Sequence, residues 1–256
     1  MRIPLVLLIF GSSLLYAQSR FEGTWEIDMG TLHFSSPPEE YLLNNGRYQC
    51  MSCVPRVDVS ADGTEQAVKG QPYFDTIMVQ VLDPSSVKFA FKKNGKPTFA
   101  CTETVSPDGK TMTEHFTEDP TASQLTGHAL FTRVNDGPSG SHALSGSWEM
   151  QTVRNVSPTG PTTTYHVTAD GVSVSAGPVT FDAKFDGKDY PVKGDPTQMV
   201  SLKLIDDRTI EQTDKHDGKV MTVMVSQVSL DGKSISVTST DKRRGGTMTF
   251  TAQKRP

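Results

Sequence analysis

The chain is written twice, and no other feature limits its architecture as much. Its two tryptophans, Trp25 and Trp148, stand 123 residues apart, each in a G-x-W-E setting: "FEGTWEIDM" and "LSGSWEMQT". The same offset aligns "KKNGKPT" at Lys92 with "KHDGKVM" at Lys215, and "TVSPDGKTMT" at Thr104 with "QVSLDGKSIS" at Gln227. It also aligns "QVLDPSSVK" at Gln80 with "KLIDDRTIE" at Lys203, and "VKGQP" at Val68 meets "VKGDP" at Val192 one residue later. A unit of about 120 residues repeated only twice describes two similar domains, not a solenoid. The Gly-, Ser- and Pro-rich "RVNDGPSGSHAL" between them has linker composition.

Within each unit the pattern is of strands. "TIMVQVLD", "KTMTEHFT", "MVSLKLID" and "SISVTST" alternate apolar and polar residues, rich in Val and Thr, as half-buried strands do. Asn94-Gly95, Asp108-Gly109, Asp217-Gly218 and Asp231-Gly232 interrupt these runs and mark tight hairpins. Strand, hairpin, strand makes an antiparallel meander. No long segment has an apolar face at helical spacing; "PPEEYLL" at Pro37 suits one helical turn or a loop. About eight strands are expected per unit, and a meander of that size closes on itself to remove its edges. The fold class expected is all-β: two tandem antiparallel up-and-down barrels.

The N-terminal "MRIPLVLLIFGSSLLYAQ" has one basic residue, an apolar stretch too short to span a bilayer, and a small residue at Ala17 suited to cleavage. Residues 1–17 are therefore expected to be a secretory signal peptide and the protein to be exported, periplasmic or extracellular. The first repeat is then 18–134, the linker 135–143 and the second repeat 144–256. No other stretch is apolar enough to cross a membrane. The formal charge of −4 is scattered, which gives no footprint for nucleic acid. "DKRRGG" at Asp241 reads as a solvated turn.

Three cysteines, Cys50, Cys53 and Cys101, leave one unpaired in an oxidising compartment. "CMSC" suggests a small structural disulfide between Cys50 and Cys53; Cys50 to Cys101 is the alternative. No second C-x-x-C or H-x-x-x-H supplies the ligands of a zinc site, and neither metal nor cofactor is expected. None of the six histidines recurs at the repeat offset. There is no G-x-S-x-G, P-loop or H-E-x-x-H, so no catalytic residue is assigned. Glu26 and Glu149 follow the tryptophans and so are expected to face solvent. His115 or His128 beside an acid inside a barrel is what an enzyme reading requires.

G-x-W on the first strand of an antiparallel meander resembles the lipocalin and wider calycin pattern. Gly23-Thr24-Trp25 and Gly146-Ser147-Trp148 match it as written. The resemblance implies that each Trp packs across the closed end of a barrel, with a basic residue from the last strand lying over it. Arg133 in "ALFTRV" and Lys254 in "TFTAQK" are the candidate basic partners. The C-terminal helix of lipocalins has no counterpart. The whole chain is similar to exported bacterial proteins without an assigned activity that carry "GTW", "FDGKDYPVKGDP" and "DGK" signatures. The expected function is binding of a small apolar or amphipathic ligand in one or both barrels. The alternative is a structural or protein-interaction module of the cell envelope with filled barrels.

Overall fold

The computed structural model describes residues 20–118, 125–155, 161–168, 171–177 and 179–256. The expected signal peptide, 1–17, lies outside them. Among the described residues every regular element is a strand. The first half contributes β1 (Gly23–Ser35), β2 (Glu39–Asn44), β3 (Arg47–Cys50), β4 (Val57–Ser60), β5 (Asp62–Ala67), β6 (Thr76–Asp83), β7 (Ser86–Lys93), β8 (Lys96–Val105), β9 (Thr111–Glu118) and β10 (Leu125–Asp136). The second half contributes β11 (Gly146–Asn155), β12 (Thr162–Val167), β13 (Gly171–Ala176), β14 (Val179–Lys184), β15 (Tyr190–Val192), β16 (Asp195–Asp206), β17 (Thr209–His216), β18 (Lys219–Val228), β19 (Ser234–Asp241) and β20 (Thr247–Lys254).

The strands form two antiparallel ten-stranded sheets. One is a closed barrel, β1-β12-β13-β14-β15-β16-β17-β18-β19-β20. The other runs β4-β3-β2-β11-β10-β9-β8-β7-β6-β5, its ends β4 and β5 being consecutive in the chain. Each sheet has ten strands where about eight were expected. Val172 and Val179 lie on separate strands, and Tyr190–Val192 is too short to show a period-two pattern. "PPEEYLL" is strand from Glu39 onward, neither helical turn nor loop.

The barrels do not follow the contiguous spans 18–134 and 144–256. β1, from the first repeat, pairs with β12, from the second, with Gly23 opposite Tyr165 and Trp25 opposite Thr163. β11, from the second repeat, pairs with β10 and β2 of the first, with Gly146 opposite Tyr41 and Trp148 opposite Glu39. Each tryptophan strand thus completes the barrel of the other copy. Residues 135–143 are not a linker between barrels either. β10 runs to Asp136, and "GPSGSHAL" joins it to β11 inside one sheet. His142 anchors that connection, its backbone N–H donating to Leu43 O at 2.9 Å. Residues 28–38 and 240–250 group with the 39–155 barrel, whereas 20–27 and 251–256 group with the 162–254 barrel.

The hairpins obey local chemistry. Asn45-Gly46, Asn94-Gly95 and Asp217-Gly218 have positive φ at both residues, as a two-residue turn matched to strand twist requires. In the 39–155 barrel, alternation brings Val79, Val87, Phe89, Val105, Met112, Phe131 and Trp148 into one buried cluster. In the 162–254 barrel, Trp25, Phe181, Val200, Leu202, Ile210, Val228 and Ile235 are buried.

Candidate functional site

The two G-x-W segments occupy matching environments. Trp25 and Trp148 are fully buried, and each indole N–H donates to the carbonyl four residues earlier, Phe21 O and Leu144 O, at 2.9 Å in both. Gly23 and Gly146 have φ of +118° and +127°, a region where a side chain is strained. That backbone lets a basic side chain pass close by. Lys254 Nζ lies 5.1 Å from the centre of the Trp25 ring, and the Arg133 guanidinium carbon lies 4.0 Å from that of Trp148. Arg133 also donates to Gly109 O, to Ser145 O at 2.7 Å and to Ala143 O at 2.6 Å. Burial pulls its pKa below the usual arginine range. A buried ring with a satisfied N–H offers a ligand nothing polar.

Cys50 and Cys53 are bonded to each other, with Cα atoms 5.4 Å apart, and Cys101 is a buried thiol. His115 and His128 face each other across β9 and β10 with ring centres 6.0 Å apart, but His115 is exposed, on the face opposite the buried Met112 and Ala129. His115, being exposed, does not supply the histidine inside a barrel that an enzyme reading requires. Glu26 pairs with Arg255 at 2.9 Å, and Glu149 is exposed.

A constellation that motif reasoning missed lies inside the 39–155 barrel. On β8, Cys101, Glu103 and Val105 alternate onto the buried face. On β9, Glu114 sits directly opposite Glu103 in register. The ligand-capable atoms of Cys101, Glu103 and Glu114 all lie within 4.8 Å of one another, a donor set that could hold a cation. The thiol donates to the Glu114 carboxyl. Glu39 on β2 approaches the same group and accepts a hydrogen bond from the Tyr41 hydroxyl. Tyr41, Tyr48 and Phe89 extend the site as a run of rings, with centres 5.9 and 5.1 Å apart in turn.

Electrostatically the site is strained. Glu103 is 5 % exposed, and its Oε2 has no hydrogen-bond partner. Burial raises its pKa well above the carboxylate range, and Glu114 and Glu39 add to the rise. Burial, with Glu39 beside it, pushes Glu114 up to about 7. Burial likewise raises the Cys101 thiol and both phenols, Tyr41 and Tyr48. An unpaired buried carboxylate costs several kcal/mol, so such a group is rare in a core without a counter-charge.

The wall opens beside this cluster. β2 and β11 pair over only three residues, Tyr41, Glu40 and Glu39 against Gly146, Ser147 and Trp148. Pro37 and Pro38 come next, and proline has no N–H to continue a ladder. Their carbonyls instead accept from the Arg244 guanidinium at 3.3 and 3.2 Å. A cleft of about 360 Å³ follows the split, lined by His33, Phe34, Ser35, Ser36, Pro37, Glu39, Glu149, Met150, Gln151 and Arg244. Glu39 faces both the cleft and the buried carboxyls, and Met150 packs on the core cluster.

The repeat supplies an internal control. At the 123-residue offset, Cys101, Glu103 and Glu114 fall on Met224, Ser226 and Val237, while Phe89 falls on Gln212. Glu39 and Tyr41, by their pairing opposite the G-x-W segment, correspond to Thr163 and Tyr165. The second barrel keeps the plug and the tyrosine but none of the three glutamates. Its own buried acid, Asp214, has its pKa raised by burial and accepts from Gln212 at 2.7 Å. No family model matches this chain, and neither a curated protein nor a solved structure shows a significant match to it.

Proposed function

We propose that the protein is an exported, lipocalin-like binding protein that holds a small amphipathic ligand in the 39–155 barrel. The observation that carries this reading is the split between β2 and β11, where Glu39 joins an outer cleft of about 360 Å³ to a polar interior. That volume falls in the range of small-molecule sites. The interior offers aromatic rings beside carboxyls, which suits a ligand with one apolar and one polar end. The partly exposed rings of Phe91, Phe99 and Phe116 pack on the same core and extend its apolar lining. On this reading the 162–254 barrel is a scaffold that kept the closed end and lost the acids. The test is native mass spectrometry of protein purified from the periplasm or medium of its own host. A mass increment that disappears on denaturation supports the reading, and a bare chain that stays bare against a small-molecule panel overturns it.

A further inference from the structure

We propose that the polar end of the ligand is cationic, an organic ammonium group seated between Glu103, Glu114 and the Tyr41–Tyr48–Phe89 rings. The inference rests on the binding reading above and narrows it to a chemical class. The acids outnumber their counter-charges. Among the described residues, the buried side chains of this barrel include no lysine or arginine. Arg133 is held by three carbonyls beside Trp148, and Arg244 is shared between the Pro37 and Pro38 carbonyls and Glu39, whose Oε1 lies 3.9 Å from it; among the described residues no basic side chain pairs with Glu103 or Glu114.

Donors are short as well. The Tyr41 hydroxyl proton goes to Glu39, and the Cys101 thiol proton goes to Glu114. Glu103 Oε2, buried and aimed into the cluster, receives nothing. A group that brings several N–H donors and one positive charge answers both deficits at once. The neighbouring rings offer π faces, which attract ammonium groups most strongly where water is excluded. An anion would be repelled once Glu114 ionises, and a neutral head would bring no charge to meet it.

Closure of the barrel does not require the acids. The second barrel closes on the same plug with Thr163, Ser226 and Val237 at those positions. The three carboxyls therefore serve something other than the fold.

The experiment is calorimetric titration of the full mature chain at pH 8 with three probes of equal length: octylamine, 1-octanol and octanoate. Octylamine is expected to bind at least tenfold more tightly than octanol, with octanoate weakest. Glu103→Gln and Glu114→Gln are each expected to remove that preference while the far-ultraviolet spectrum stays that of the parent chain. Equal binding of amine and alcohol, or preservation of the preference in both variants, overturns the cationic head but leaves a ligand-binding barrel. Binding of none of the three probes, together with a bare native mass, removes the binding reading itself. Tight stoichiometric binding of Zn²⁺ that Cys101→Ser abolishes, with no amine preference, would make the cluster a metal site and overturn the inference.

Discussion

Lys254 lies over the face of Trp25, its Nζ 5.1 Å from the ring centre, although the two residues sit near opposite ends of the chain. In the other barrel Arg133 does the same to Trp148, but from a strand joined to it by one connection. The two closures differ in anchoring. Lys254 has its ring contact, whereas Arg133 adds donation to three carbonyls. Arg133→Ala is expected to cost about 2–3 kcal/mol, since hydrogen bonds to a charged group are lost and carbonyls are left bare. Lys254→Ala is expected to cost under about 1 kcal/mol, the scale of one cation–π contact. Urea unfolding of both variants checks the difference.

The motif glycines are expected to rank the same way. A Cβ at Gly146 would lie 2.4 Å from Asn135 O, a backbone atom, whereas at Gly23 the nearest atom is Lys254 Cε at 2.9 Å. A lysine stem can move and a β10 carbonyl cannot. Gly146→Ala should therefore cost about 3 kcal/mol or more, and Gly23→Ala about 1–2, since both share the backbone strain but only one meets a fixed clash.

The buried acids predict an inverted pH profile. Glu114 rises from the ordinary value near 4.5 to about 7. Below 4.5 the group is protonated whether the chain is folded or not, and its share of stability is complete. Between 4.5 and 7 the unfolded chain binds fewer protons than the folded one, so stability falls as pH rises. Above about 7 the loss is complete, on the order of 3 kcal/mol for this group alone, from 1.36 kcal/mol per pKa unit; Glu103 acts in the same direction. Urea midpoints at pH 5 and pH 8 should show the decline, and Glu114→Gln should flatten it.

The thiols give a simple check. Cys101 is buried with its pKa raised by that burial, so iodoacetamide should label no cysteine in the native protein. In denaturant without reductant one cysteine should react, because Cys50 and Cys53 are bonded. Three labels under those conditions would show that the bridge is absent.

Fragments should not behave alike. Residues 38–155 contain β2 to β11, every strand of one sheet, and are expected to fold alone with a cooperative melt. Residues 161–256 lack the strand that closes theirs. They should stay aggregation-prone until a peptide of residues 20–35 is added, because an unclosed barrel presents two bare edges. Circular dichroism with and without the peptide reads the outcome.

Much of this structure was legible in the chain. Period-two runs and the Asn-Gly and Asp-Gly pairs marked strands and turns because both signals are local. The tryptophan, its glycine and a basic partner form a unit of packing that one strand pattern describes. The strand exchange was not legible. Both copies carry similar edge sequences, so β1 meets equivalent partners in either barrel, and only the three-dimensional path chooses between them. The acid cluster escaped for a different reason. Glu103 and Glu114 lie in no motif; what betrays them is parity, for Glu103 is in phase with Cys101 and Val105, and Glu114 with Met112. A charged residue on the apolar beat of a strand was the available signal.

The meeting of the two chain ends has one last consequence. Arg255 N–H donates to Thr24 O at 2.8 Å, so the first and last strands are already neighbours. Fusing the termini and reopening the loop at Ser36 would turn an interlaced order into two consecutive barrels, each complete in its own stretch of sequence. The native arrangement works as a clasp: a nascent chain must hold its opening strand in reserve until β12 emerges, and the ring shuts only when the final strand arrives.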